Sequence, residues 1–211
     1  MMYRDHIEKK ITPSFPPTEE TVNAAFHTCQ RSLLLGKERV ARSTDLQRGL
    51  QYVSDMMETV QQLSVLPKSD SLMMDAVASA ILPSAVQLLR QHGVAQYGRD
   101  QIYYIEEPSR DAFRQKTTPL KLTDVQEAIY HAQSRCAKLS ATGYVANDIL
   151  HISALVNQAR NEMLVDTTSK ASSIVKLTDV AAIAYTMLER ERGPSVAEKA
   201  LGGLQSVSHI R

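Results

Sequence analysis

Six histidines, two cysteines and two adjacent glutamate pairs are the first places to look for catalytic or metal chemistry in this 211-residue chain. None has the spacing that such chemistry needs. A metal-binding helix wants two histidines four residues apart, as in HExxH, or a His-x-His pair on a strand, and neither occurs. His27, His131 and His151 instead sit beside apolar stripes, where a hydrogen-bonded or surface role is the commoner use. Cys29 and Cys136 stand alone with no CxxC, so reduced thiols are expected. Glu19–Glu20 and Glu106–Glu107 are neighbours in sequence, so neither pair converges on one point as a carboxylate pair must. The first pair reads as favourable charge at a helix N-terminus. The string LLLGKERVARS lacks the first glycine and the final hydroxyl of a phosphate-binding loop, and no GxSxG elbow is present. These residues predict no catalytic group, no cofactor and no metal, hence a protein that is not an enzyme.

Cations offer a second kind of chemistry. Arg31, Lys37, Arg39, Arg42 and Arg48 outnumber Glu38 and Asp45 over a segment expected to include a loop between helices, where charge is freely presented. Arg110, Arg114 and Lys116 lie near Tyr103 and Tyr104, and aromatics beside cations are what single-stranded nucleic acid uses for stacking and backbone attraction. Set against both patches is the bland reading of a solvated face. The whole chain carries 24 Lys and Arg against 23 acids, a net charge of +1. A dedicated duplex-DNA domain is usually clearly basic, so nucleic acid is an alternative partner that would have to use these local patches.

The elements that would carry these residues are mostly helices, because one grammar recurs: a Ser, Thr or Asp to accept an orphan N–H, then apolar residues at spacings of three and four. Thr18 caps a helix striped by Val22, Phe26, Cys29 and Leu33, with Gly36 as its expected stop. Thr44 and Gln47 form an expected capping box for a second helix ending before Pro67. Ser71 starts a third, which Pro83 should kink or divide. Thr123 with Gln126 opens another. A long stripe from Val145 to Val165 reads as the central helix of the second half. The polar run DTTSKASS is expected as a loop before a helix capped by Thr178, and Ser195 with Glu198 boxes a last short helix. QIYYIEE, residues 101–107, is the one β-rich cluster. The expected fold is therefore all-α and bundle-like, with about seven to nine helices and a short strand or hairpin near residues 101–107. Residues 1–93 and 120–211 form two expected helical lobes joined by a 94–119 connector, with one continuous domain as the alternative.

Two strings, LKLTDVQEAIY from Leu120 and VKLTDVAAIAY from Val175, agree at six of eleven positions. A duplicated unit would explain this, but Thr-Asp is also a favoured helix start. The run from Thr178 through ERGPSVAEKALGG resembles the first two helices of a winged helix-turn-helix module over about twenty-five residues. That resemblance implies DNA contact through Arg190, Arg192, Lys199, His209 and Arg211, which Glu189, Glu191 and Glu198 dilute.

The N-terminus has no continuous apolar core of the kind a secretory signal needs, and the apolar stretch Leu72–Leu89 is broken by Asp75 and Pro83. Neither export nor a membrane span is expected. Eight methionines, no tryptophan and many alanines suggest close-packed helices whose faces also suit self-association. The expectation is a cytoplasmic or particle-borne assembly protein, of the kind viruses and mobile elements encode. It would act as a subunit of a homo-oligomer, filament, shell or larger complex, with other protein subunits as partners.

Overall fold

The computed structural model describes residues 18–95, 102–103, 120–137, 143–165 and 170–202. Across them the chain is an all-α bundle. Helix α1, Glu19–Arg42, begins as its sequence predicts: Thr18 Oγ1 accepts the Thr21 N–H at 3.3 Å, and Glu19 and Glu20 occupy the positive first turn. It does not stop at Gly36. That glycine lies inside the helix because α2 passes so close that a Cβ there would collide with the Met56 side chain. The absence of a side chain serves helix packing here, not termination.

Helix α2, Leu46–Gln62, is capped by Asp45 rather than by the expected Thr44 box; Asp45 Oδ1 accepts the Gln47 N–H at 2.9 Å. Its expected stripe of Leu46, Leu50, Val53, Met57 and Val60 is buried. A single 3₁₀ turn, Leu63–Val65, leads to Lys68, whose φ of 57° sets up a helix starting at Ser69, two residues before the expected Ser71.

A continuous rod, Ser69–His92, follows. It comprises α3 (Ser69–Ala76), a π-turn (Val77–Ile81) and α4 (Leu82–His92). The π-turn has an identifiable cause. Pro83 has no N–H, so the Ser79 carbonyl four residues earlier loses its regular donor. Lys37 of α1 reaches across and donates from Nζ to that carbonyl at 3.0 Å.

Val94–Ala95 and Ile102–Tyr103 pair antiparallel as β1 and β2, a two-residue ladder that meets the expected β-rich segment at its start. Most of residues 94–119 lies outside the described residues.

Helix α5, Leu122–Cys136, starts one residue before the expected Thr123; Asp124, not Gln126, accepts the Lys121 N–H at 2.8 Å. Helix α6 spans Val145–Val165 and α7 spans Lys170–Arg192. The second half of the expected loop, Lys170–Ser173, and the expected cap at Thr178 are thus both helix, while residues 166–169 lie outside the described residues. The reason is tertiary for Ser173 and local for Thr178. Ser173 Oγ donates to the Ala159 carbonyl of α6 at 3.0 Å, and Thr178 Oγ1 donates back to Ile174 O at 2.9 Å, so hydroxyls that read as breakers are satisfied while buried. Gly193, with φ +89°, turns the chain into α8, Pro194–Gly202, with proline in the first helical position.

The central rod is α7 rather than the expected α6. Residues 180–185 of α7 are all buried, so this stretch is apolar on every side, and the helix packs against α4, α5, α6 and α8. The buried side chains of α1–α4 and α5–α8 form one cluster, with α2 against α6 and α4 against α7. Ser69–His92 and Lys170–Arg192 are long and apolar enough to cross a membrane, yet 72% and 67% of their apolar windows are buried inside the bundle, as in any core helix.

Candidate functional site

The sequence-predicted cations are not presented by a loop. Arg31, Lys37, Arg39 and Arg42 ride on α1 and Arg48 on the first turn of α2, with only residues 43–45 between the helices. Lys37 is a structural cation, committed to the π-turn, and burial depresses its pKa. Arg39 stacks over the Tyr52 ring at 5.9 Å. It lies with Arg42 in the last turn of α1, where helix dipoles favour positive charge. The other named residues, Tyr104, Arg110, Arg114 and Lys116, fall outside the described residues, and only the backbone of Tyr103 is described.

The helices α7 and α8 lie where the winged-helix resemblance was read, and their arginines are engaged by neighbouring helices. Arg190 Nη2 pairs with Asp148 of α6 at 2.9 Å and Nε with Glu191 at 2.7 Å; Arg192 reaches Asp75 of α3 at 3.1 Å and the Ser71 hydroxyl at 2.7 Å. They bind the bundle together, which leaves them poorly placed for a phosphate backbone. Asp148 is fully buried, so its pairing with Arg190 is structurally important.

The repeated strings occupy unlike places: one crosses the start of α5, the other lies inside α7. Their final tyrosines nevertheless meet. Tyr130 and Tyr185 stack edge-on with centroids 5.7 Å apart and donate to the same Glu198 oxygen at 2.5 and 2.8 Å. The hydrogen bond to Glu198 is the main cause raising the Tyr130 pKa, and burial is the main cause raising that of Tyr185. Glu198, expected to box α8, therefore ties α8 to α5 and α7. Phenols held in the protonated form this firmly are poor proton donors. Burial pushes the Cys136 thiol up to about 12, which removes it as a nucleophile. Among the described residues no three His, Cys, Asp or Glu side chains converge as a metal site would require.

The surface that sequence reading missed is the outer face of α6. Its exposed row, Asn147, Leu150, Ala154, Gln158, Asn161 and Val165, follows helical spacing and contains no charge. All three ionisable acids and bases of α6 other than its histidine are turned elsewhere: Asp148 to Arg190, Arg160 towards Ser54 and Gln51 of α2, and Glu162 to Lys176 of α7 at 2.7 Å. Leu150 and Leu164 are each 58% exposed and Val165 89%. The 21 residues of α6 span about 31 Å, so this uncharged strip is long. A charge-to-neighbour map would have been needed to see it, and spacing alone does not supply one. A smaller apolar groove of about 260 Å³ lies between α1 and α3, lined by Phe26, Leu33, Leu34, Leu63, Leu72 and Ala76.

The class defined by this architecture is an all-α helical bundle whose polar clusters hold helices together. No family model, no curated protein and no solved structure matches the chain.

Proposed function

We propose that this protein is a non-catalytic assembly subunit that associates through the outer face of α6, with a second copy of the same chain as partner. The observation that supports this is the uncharged row from Asn147 to Val165, about 27 Å long, with the exposed Leu150 in it and the exposed Leu164 beside it. A soluble helix normally turns charge to water on its outer face. A face without charge can meet its two-fold mate with no like charges opposed, and Ala154 near the middle lets two backbones approach. Sedimentation velocity at tens of micromolar tests the reading. The wild-type chain should self-associate, and the double variant Leu150→Glu, Leu164→Glu should be monomeric with unchanged circular dichroism. A strictly monomeric wild type overturns it.

A second reading, nucleic-acid binding, is favoured by one feature: Arg39 and Arg42 at the end of α1 and Arg48 at the start of α2 make no ion pair among the described residues. Charge reversal at Arg39 and Arg42 should then weaken oligonucleotide binding and flatten its salt dependence. Absence of binding at low salt eliminates this reading.

A further inference from the structure

A cleft of about 480 Å³ opens where the α1–α2 turn meets the last turn of α4, lined by Ser43, Thr44, Gln87, Arg90, Gln91 and His92, with Leu120 at its edge. A lobe of about 150 Å³ continues past Thr44 and His92 to Asp45, Leu46 and Lys170. Nothing in the assembly reading uses this place.

Two of its side chains are in an unusual condition. Arg90 Nε and His92 Nε2 are both shut off from solvent, and neither has a hydrogen-bond partner. Arg90 also makes no ion pair. Burying a guanidinium nitrogen without an acceptor is costly, and folded proteins nearly always provide one. Two other partly buried arginines reach acceptors across the bundle: Arg190 has Asp148, and Arg160, whose Nε is likewise unpartnered, reaches Ser54 and Gln51 through Nη1. Arg90 faces a cleft instead.

The groups around it favour an anion. Ser43 and Gln91 already donate to Val40 O and Ala41 O, which fixes the cleft wall. Thr44 and Gln87 have uncommitted donors beside Arg90. In the smaller lobe Lys170 adds positive potential at His92, while Asp45 is occupied with the Gln47 N–H at the start of α2. Arg90 and Lys170 against Asp45 leave the lining with one net positive charge. A guanidinium fork, an imidazole, a hydroxyl and an amide exceed what a planar carboxylate can satisfy, but they suit the several oxygens of a phosphate. The volume is that of a small organic molecule rather than a bare ion.

We infer that this cleft binds a small phosphomonoester, with the guanidinium of Arg90, which lines the cleft, as the principal phosphate ligand and the Thr44 hydroxyl and Gln87 amide beside it. Nuclear magnetic resonance titration of the full chain in phosphate-free buffer tests this, with inorganic phosphate and adenosine monophosphate as probes and acetate and adenosine as controls. Both phosphate probes should shift the Arg90 Nε–H and His92 ring signals saturably at millimolar concentrations, and the controls should not. Arg90→Met should weaken binding by about tenfold or more, whereas Lys68→Met, at the exposed start of α3, should change it less than about twofold. The wild-type titration stands even if Arg90→Met fails to fold. No saturable shift overturns the inference, as does equal response to acetate, or undiminished binding by folded Arg90→Met. A single-stranded oligonucleotide that binds where both phosphate probes fail overturns it in favour of an extended strand.

Discussion

The contact between Lys37 and the π-turn makes a quantitative prediction, because the carbonyl it serves lost its partner to a single residue. Lys37→Met keeps an unbranched aliphatic side chain at this position but removes the donor from Ser79 O. Stranding a carbonyl costs about 1–3 kcal/mol when it is buried. Lys37 is half-buried, so water replaces part of what is lost, and removing an ammonium already disfavoured by burial gives some back. A net loss of about 1 kcal/mol is expected, which for a chain of this size lowers Tm by about 2–4 °C. Pro83→Ala supplies an N–H that can reach Ser79 O, so in that background Lys37→Met should cost less. Urea denaturation of the two single variants and the double variant closes the cycle. A coupling of about 0.5 kcal/mol or more is predicted, since independent sites add to within about 0.3–0.5 kcal/mol. If the two effects simply add, or if Lys37→Met stabilises the protein, the explanation of the π-turn is wrong.

Arg190→Met should destabilise the fold by about 3 kcal/mol because it leaves the fully buried Asp148 carboxylate without its cation, and adding Asp148→Asn should recover much of the loss; urea midpoints check both. Burial lowers the His92 pKa, Asp45 opposing and Lys170 assisting. The unfolded chain therefore takes up a proton near pH 6.5 that the folded chain refuses, and stability should fall as pH drops below about 6.5, flattening beneath the folded value. His92→Gln should remove that part of the slope in denaturation curves recorded between pH 7 and pH 5 in phosphate-free buffer. Cys136, its thiol held up at about 12, should resist iodoacetamide at pH 8 in the native state and react at the rate of unfolding in denaturant, as followed by mass spectrometry.

Local chemistry made much of this architecture legible. Thr18 capped α1 as read, the stripe of α2 was the buried face, Pro83 did disturb its rod, and the all-α class followed from periodicity. Each depends on residues within a turn or two of one another, and spacing records such relations directly. The misread positions share the opposite property. Gly36 continues a helix because Met56, twenty residues away in sequence, needs the room. Ser173 sits inside α7 because a carbonyl of α6, fourteen residues back, accepts its hydroxyl. Arg190 and Arg192, which looked available to a partner, are held by Asp148 and Asp75. The uncharged face of α6 and the unpaired Arg90 were invisible for the same reason. Whether a charge is spent or spare depends on what lies across from it. The residue sequence by itself therefore determined which segments coil and which of their faces avoid water, since those are short-range choices of backbone and solvent. Tertiary structure alone decided which polar groups were satisfied and which surfaces were left over, because hydrogen bonds and ion pairs reach only a few ångströms and their partners here lie up to 121 residues apart.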